Sequence, residues 1–153
     1  ACTAEASFLV GVSKELSMLV RAFYISRSAG PQTSVVTGSI LKTAMVFNRV
    51  NQISGVLCQG DGFFLQMLEG DRGVVNQLYG RIVRDSRHKD VELVKYEEIK
   101  QRKFSQWSMA LINLSDTDPM VVMQHPEFDP YSATSATLEQ QIDEWISSGK
   151  PIQ

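Results

Sequence analysis

Two apolar runs, QISGVLCQ at 52–59 and GFFLQMLE at 62–69, meet at Gly60-Asp61-Gly62, and this juncture commits the chain to a β-hairpin. Glycine takes up positive φ without a Cβ penalty, as a tight reversal between two strands requires. An isolated hairpin cannot bury its apolar face, so the flanking sequence must supply more strands and a covering layer.

Both flanks do so. Upstream, LVRAFYIS after Met18 reads as a strand closed by the turn-rich SAGPQTS, and Ile40, Leu41, Ala44 and Met45 recur at helical spacing over 37–50. Downstream, Asp71 is placed to cap a helix over 72–86 with an apolar stripe of Val75, Leu78, Tyr79 and Ile82. VELVKYEEI and WSMALIN then read as two further strands. The order predicts an α+β, ferredoxin-like β-α-β-β-α-β fold with an extra fifth strand and both helices on one sheet face. Beyond Asn113 come a loop with Asp116, Asp118 and Pro119, the apolar MVVM run, a second loop HPEFDPYSATSA, and a helix from Thr137. Thr137 and Gln140 are spaced as a capping box, with Leu138, Ile142, Trp145 and Ile146 on one face. The expected organisation is a flexible or vector-derived extension over 1–17, one domain over 18–113, and a C-terminal helical cap or output segment over 114–153.

A chain of 153 residues suits one domain with one site, and 15 basic against 17 acidic residues give no electrostatic footprint for nucleic acid. Cys2 and Cys58 are too far apart in sequence to suggest a disulfide framework or a metal site, which points to the cytoplasm. No apolar run approaches the roughly 20 residues that span a bilayer, so no membrane association is expected. His88 and His125 lack metal-ligand spacing and read as surface residues. No catalytic constellation is visible, and the expectation is a protein that is not an enzyme.

The informative residues break an apolar pattern. Strand alternation sets Gln66 between Phe64 and Leu68, and an amide buried without partners costs about 1–3 kcal/mol per group. Asn48 stands four residues after Ala44 and three after Met45, on the helix stripe that should face the sheet. Arg81 and Asp85 continue the line of Val74 and Leu78, placing a guanidinium and a carboxylate at the rim of the same space. Tyr24 shares a strand face with Val20 and Ala22, and Trp107 and Met109 are expected to point the same way from the last strand. Taken singly, each is more simply a satisfied sheet or helix residue, a core aromatic, or a surface ion pair worth under about 1 kcal/mol. Their convergence on one helix–sheet crevice is what predicts a pocket for a polar ligand.

These residues fall in fragments that resemble a known family. LVRAFYISR, FNRVNQISGVLCQGDGFFLQMLEGD, RIVRDSRH and KFSQWSMALI, in register over 18–113, are similar to the BLUF domain, a sensor of blue light using FAD. The resemblance implies FAD as cofactor and a photoreceptor in which Tyr24 is the electron donor and the Gln66 amide bridges it to the flavin ring. It implies that Asn48 bonds the polar edge of the isoalloxazine, with Arg81 and Asp85 near the pyrimidine side and ribityl chain. Ile40 and Phe64 would pack on the ring, and Trp107 and Met109 match a pair near the glutamine. Phe47 stands where the family often has a polar residue or His. A downstream protein partner or a fused effector is implied, and a homo-oligomer is left open.

Two other classes fit the same topology. A small acylphosphatase-type hydrolase would use Arg27 and Asn48 as phosphate binders, but SRSAGPQTS offers one glycine where an anion cradle needs several. An RNA-binding module would need a basic, aromatic sheet face.

Overall fold

The hairpin forms as read, with φ of +151° at Gly60, +53° at Asp61 and +83° at Gly62. The computed structural model describes residues 18–114 and 129–148. Among them the order is β1 (Leu19–Ser28), α1 (Ser34–Val50), β2 (Ser54–Gly60), β3 (Phe63–Asp71), α2 (Arg72–Val83), β4 (His88–Glu98), β5 (Ala110–Asn113) and α3 (Ser135–Ser148). The strands lie side by side as β4-β1-β3-β2-β5. Every neighbouring pair is antiparallel except β2 with β5, which run parallel. This is the ferredoxin-like arrangement with its fifth strand added beside β2. The extension at 1–17, the loop at Asp116 and Asp118, MVVM and His125 lie outside the described residues.

Alternation along the strands divides the core in two. Val20, Ala22, Tyr24, Leu57, Phe64 and Leu68 face α1 and α2. Phe23, Ile25, Val56, Leu65, Met67 and Ile112 face the other way, where Leu138, Ile142 and Trp145 of α3 cover them. Both sheet faces are thus shielded, α1 and α2 on one side and α3 on the other.

Element ends depart from the periodicity for local reasons. Thr33 Oγ1 accepts from the Val36 N–H at 3.2 Å, so α1 starts at Ser34 rather than at 37. Asp71 occupies the N-cap position of α2 without a side-chain hydrogen bond. That helix stops at Val83 rather than 86, because the Asp85 carboxylate takes the Arg87 N–H at 2.9 Å and closes a turn that competes with the helix. α3 begins at Ser135, and Thr134 rather than Thr137 accepts at its first turn, from the Thr137 N–H at 3.2 Å. β5 is shorter than WSMALIN: the Trp107 N–H donates to the Phe104 carbonyl at 3.0 Å, a turn that delays the strand until Ala110.

Candidate functional site

One row of paired residues crosses the sheet beneath the two helices. Tyr24 on β1 lies opposite Gln66 on β3, Gln66 opposite Leu57 on β2, and Leu57 opposite Leu111 on β5. Directly opposed side chains on one face have Cβ atoms about 5 Å apart, so the Tyr24 and Gln66 side chains rise side by side from adjacent strands. Above this row the helices do not close on the sheet. They leave a cleft between them that is open to solvent on one side.

The cleft collects most of the residues singled out by sequence. Tyr24, Ile40, Asn48, Phe64, Gln66, Arg81 and Asp85 all line it. Trp107 and Met109 do not, and they do not share a direction. Met109 is fully buried on the cleft side, where its Sδ accepts from Gln66 Nε2 at 3.6 Å. Trp107 packs toward α3, stacked on Phe104 with ring centroids 6.1 Å apart and planes 15° apart. The expectation that both point the same way assumed an unbroken strand. The bend at Ser108 undoes the period of two, because residues 107–109 precede β5.

Asn48 carries the most direct sign of a missing partner. It is fully buried, its Nδ2 donates to the Ser108 carbonyl at 2.7 Å, and its Oδ1 has no partner among the described residues. An orphaned acceptor lining a cleft calls for a donor on the ligand. Arg81 does not pair with Asp85: its guanidinium lies over the Phe47 ring, 5.0 Å from the centroid. Asp85 pairs instead with Arg87, whose Nε lies 3.0 Å from both carboxylate oxygens. The Arg87 hydrogen bond holds the Asp85 carboxyl below its ordinary range, against an opposing push from burial. Burial pushes the Tyr24 phenol well above its ordinary value, and the neighbouring Tyr79 and Asp85 add to the shift. That side chain is therefore a neutral O–H donor at any physiological pH.

His88 departs from the surface position expected of it. It is a cleft residue, edge-on to Tyr24 with centroids 6.5 Å apart and to Phe64 at 6.4 Å. The Ile82 carbonyl can only accept, so Nε2 carries the hydrogen there, while Nδ1 pairs with the buried Ser26 hydroxyl at 2.9 Å. Arg87 also lines the cleft. The signal lay in RDSRH itself, where Asp85 and Arg87 sit in the turn that follows α2 and His88 opens β4. Arg27 is absent from the lining and stacks on Tyr131, 4.3 Å from its ring centroid. The two phosphate binders a hydrolase would need therefore do not converge.

The sequence model of the family described as "Sensors of blue-light using FAD" matches residues 19–110. The chain belongs to the BLUF family. It is a blue-light sensor whose cofactor is FAD. Photoactivated adenylate cyclase subunit alpha of Euglena gracilis is 38% identical over 86 residues, which are 56% of this chain and 8% of that protein. The photo-activated state of BlsA superposes with a TM-score of 0.75 at 26% identity, covering 88% of this chain and 100% of BlsA. A bacterial light-regulated adenylyl cyclase superposes at 0.67 with 30% identity, covering 85% of this chain and 35% of the cyclase. This BLUF chain thus spans only a small part of the cyclases it matches.

The cleft suits the isoalloxazine of FAD. That ring system is planar and apolar on its faces, with one N–H between two carbonyls on its polar edge. Ile40, Phe64 and Leu57 offer apolar contact to the faces, and Asn48 Oδ1 is the acceptor such an N–H needs.

Proposed function

We propose that residues 18–113 hold FAD between α1, α2 and the sheet, and that Tyr24 and Gln66 form the light-driven switch. Residues 114–153 are the output segment, and the receiver is a fused or separate effector in the cytoplasm. Likeness to photoactivated and light-regulated adenylate cyclases supports an effector of the nucleotide-cyclase kind. On this reading the chain itself senses and does not catalyse. The observation that carries it is the Tyr24–Gln66–Met109 succession beside an orphaned Asn48 oxygen.

Bound FAD supplies blue-light absorption and, once excited, a strong one-electron oxidant. Tyr24 would be the donor of that electron, and the Gln66 amide, carried opposite it on the neighbouring strand, would be the group that answers the change on the phenol. With electron and proton restored to Tyr24, the amide would be left turned end for end. Its oxygen and nitrogen ends differ in hydrogen bonding but barely in shape, so the rotation costs little space. It does cost the Met109 contact. A thioether accepts weakly and donates nothing, so Gln66 Nε2 suits Met109 Sδ and Gln66 Oε1 does not. Met109 must then give way, and the segment from Trp107 into β5 moves with it.

The test is an absorption spectrum of the purified protein before and after blue illumination. The expected result is a yellow protein whose flavin bands move to longer wavelength and return in darkness, with Gln66→Leu yellow but unshifted. A colourless wild type, or a Gln66→Leu variant with the full shift, overturns the proposal.

A further inference from the structure

Glu69 is a fully buried charged residue on the face of β3 opposite the cleft, three positions after Gln66 and among apolar neighbours. Burying an ionised group is costly unless every lone pair is met. Here five donors converge on its carboxylate. Arg21 supplies Nε and Nη2 to Oε2 at 3.0 and 2.8 Å, and Ser54 Oγ reaches Oε1 at 3.3 Å. The other two are backbone: the Lys103 N–H to Oε2 at 2.8 Å and the Phe104 N–H to Oε1 at 2.7 Å. Arg102 completes the clamp from the same loop, donating Nη1 to Ser54 Oγ at 2.9 Å and to the Glu69 carbonyl at 3.1 Å.

The two backbone donors decide the meaning. Residues 102–104 belong to neither β4 nor β5, and this irregular loop leads within five residues to Met109. Phe104 is the ring on which Trp107 stacks, and Lys103 Nζ pairs with Asp143 of α3. The loop is therefore held at one end by the Glu69 carboxylate and touched at the other by the switch, through Gln66 Nε2 to Met109 Sδ. Glu69 and Gln66 project from the same strand to opposite faces, so the loop is fixed and read from one rigid element.

Resting on the switch role of Gln66 proposed above, we propose that Glu69 is a positioning residue for the light reaction: by fixing the backbone of Lys103 and Phe104 it sets where Met109 stands against Gln66. With this anchor, a turned amide displaces Met109 against a held loop, and the strain passes to β5 and, through Lys103, to α3. Without it, the loop shifts freely and the dark and lit arrangements of Gln66 lose their energy difference.

The test uses the full FAD-loaded chain with Glu69→Gln, which keeps the shape and removes the charge, and Glu69→Asp as the conservative partner. The expected result is retention of FAD and of the light-induced red shift, with dark recovery changed roughly fivefold or more, the equivalent of one net hydrogen bond. The light-dependent change in amide exchange over 103–113 and α3 should be lost, and Glu69→Asp should restore recovery toward wild type. Unchanged recovery and exchange, with only a lowered melting temperature, would reduce Glu69 to a structural ion pair and overturn the proposal. If Glu69→Gln does not fold, Arg102→Ala decides: it removes the loop's second tie to β2 and β3, at Ser54 Oγ and the Glu69 carbonyl, while leaving the carboxylate intact, so a smaller change of the same sign is expected in both readouts, and no change overturns the proposal. Failure of the switch reading looks different: there the wild type shows no red shift, or Gln66→Leu keeps it.

Discussion

Replacing Asn48 with leucine separates what this residue does for the fold from what it does for FAD. The side chain is fully buried, with one end satisfied by the Ser108 carbonyl and Oδ1 without a protein partner among the described residues. A buried acceptor without a donor costs about 1–3 kcal/mol. Leucine has similar bulk and removes that cost, but it also takes the donor from the Ser108 carbonyl, a loss of the same size. The two terms nearly cancel, so the melting temperature of the flavin-free protein should move by little. The holoprotein has no such cancellation. The bond from the flavin N–H to Oδ1 is lost outright, and about 1–3 kcal/mol is a 5- to 150-fold weaker affinity. Thermal melts of flavin-free protein beside titrations followed by flavin fluorescence quenching measure both. A large drop in melting temperature with unchanged FAD affinity would refute the reasoning and make Asn48 an ordinary core amide.

Tyr24→Phe should keep the fold within about 1 kcal/mol, since the edge contact with Tyr79 needs only the ring, while abolishing the red shift in the illuminated spectrum. Gly55→Ala should destabilise by more than about 2 kcal/mol in urea unfolding, because its Cβ would stand 2.2 Å from the Met67 carbonyl oxygen, and backbone cannot step aside. Burial pushes the Cys58 thiol far up, so a Cys2→Ser variant should react with a thiol reagent only once unfolded. The Asp85 carboxyl is held below its ordinary value, so its pairing with Arg87 stabilises the fold at pH values above the unfolded value and is lost as pH falls through the folded one. Both side chains keep part of their surface in water, which screens the pair, so Asp85→Asn should cost about 1 kcal/mol in melts at pH 7, and the difference should vanish in the acid range.

Strand order and the two-faced sheet were legible because they rest on period-two alternation and on glycines at Gly60 and Gly62, both local and strong. The convergence of Tyr24, Asn48, Gln66, Arg81 and Asp85 was legible for the same reason, each being a polar residue on a face whose neighbours are apolar. Three features were not. Arg87 sits in a turn and His88 is the first residue of β4, where no periodicity yet tells inside from outside. The pairing of Asp85 with Arg87 rather than Arg81 depends on α2 ending one turn early, which is decided by Asp85 itself closing the turn. The divergence of Trp107 and Met109 depends on the bend at Ser108, and a run such as WSMALIN contains no glycine or proline to announce it.

That bend gives the sheet a way through. A packed sheet isolates its two faces, and here the cofactor cleft lies on one and α3 on the other. Within the core of the sheet no side chain passes from face to face. The segment 107–109 does: Trp107 stands with the α3 cluster, Met109 stands against Gln66, and the Ser108 carbonyl between them is gripped by Asn48 from the cleft side. Two amides that line the cleft, Gln66 and Asn48, therefore hold adjacent points of an irregular backbone stretch that reaches the far side. A regular strand from Trp107 would have put both side chains in the cleft and left α3 with nothing to read. The irregularity that defeats the sequence pattern is also what sets one short backbone segment against both faces of the sheet.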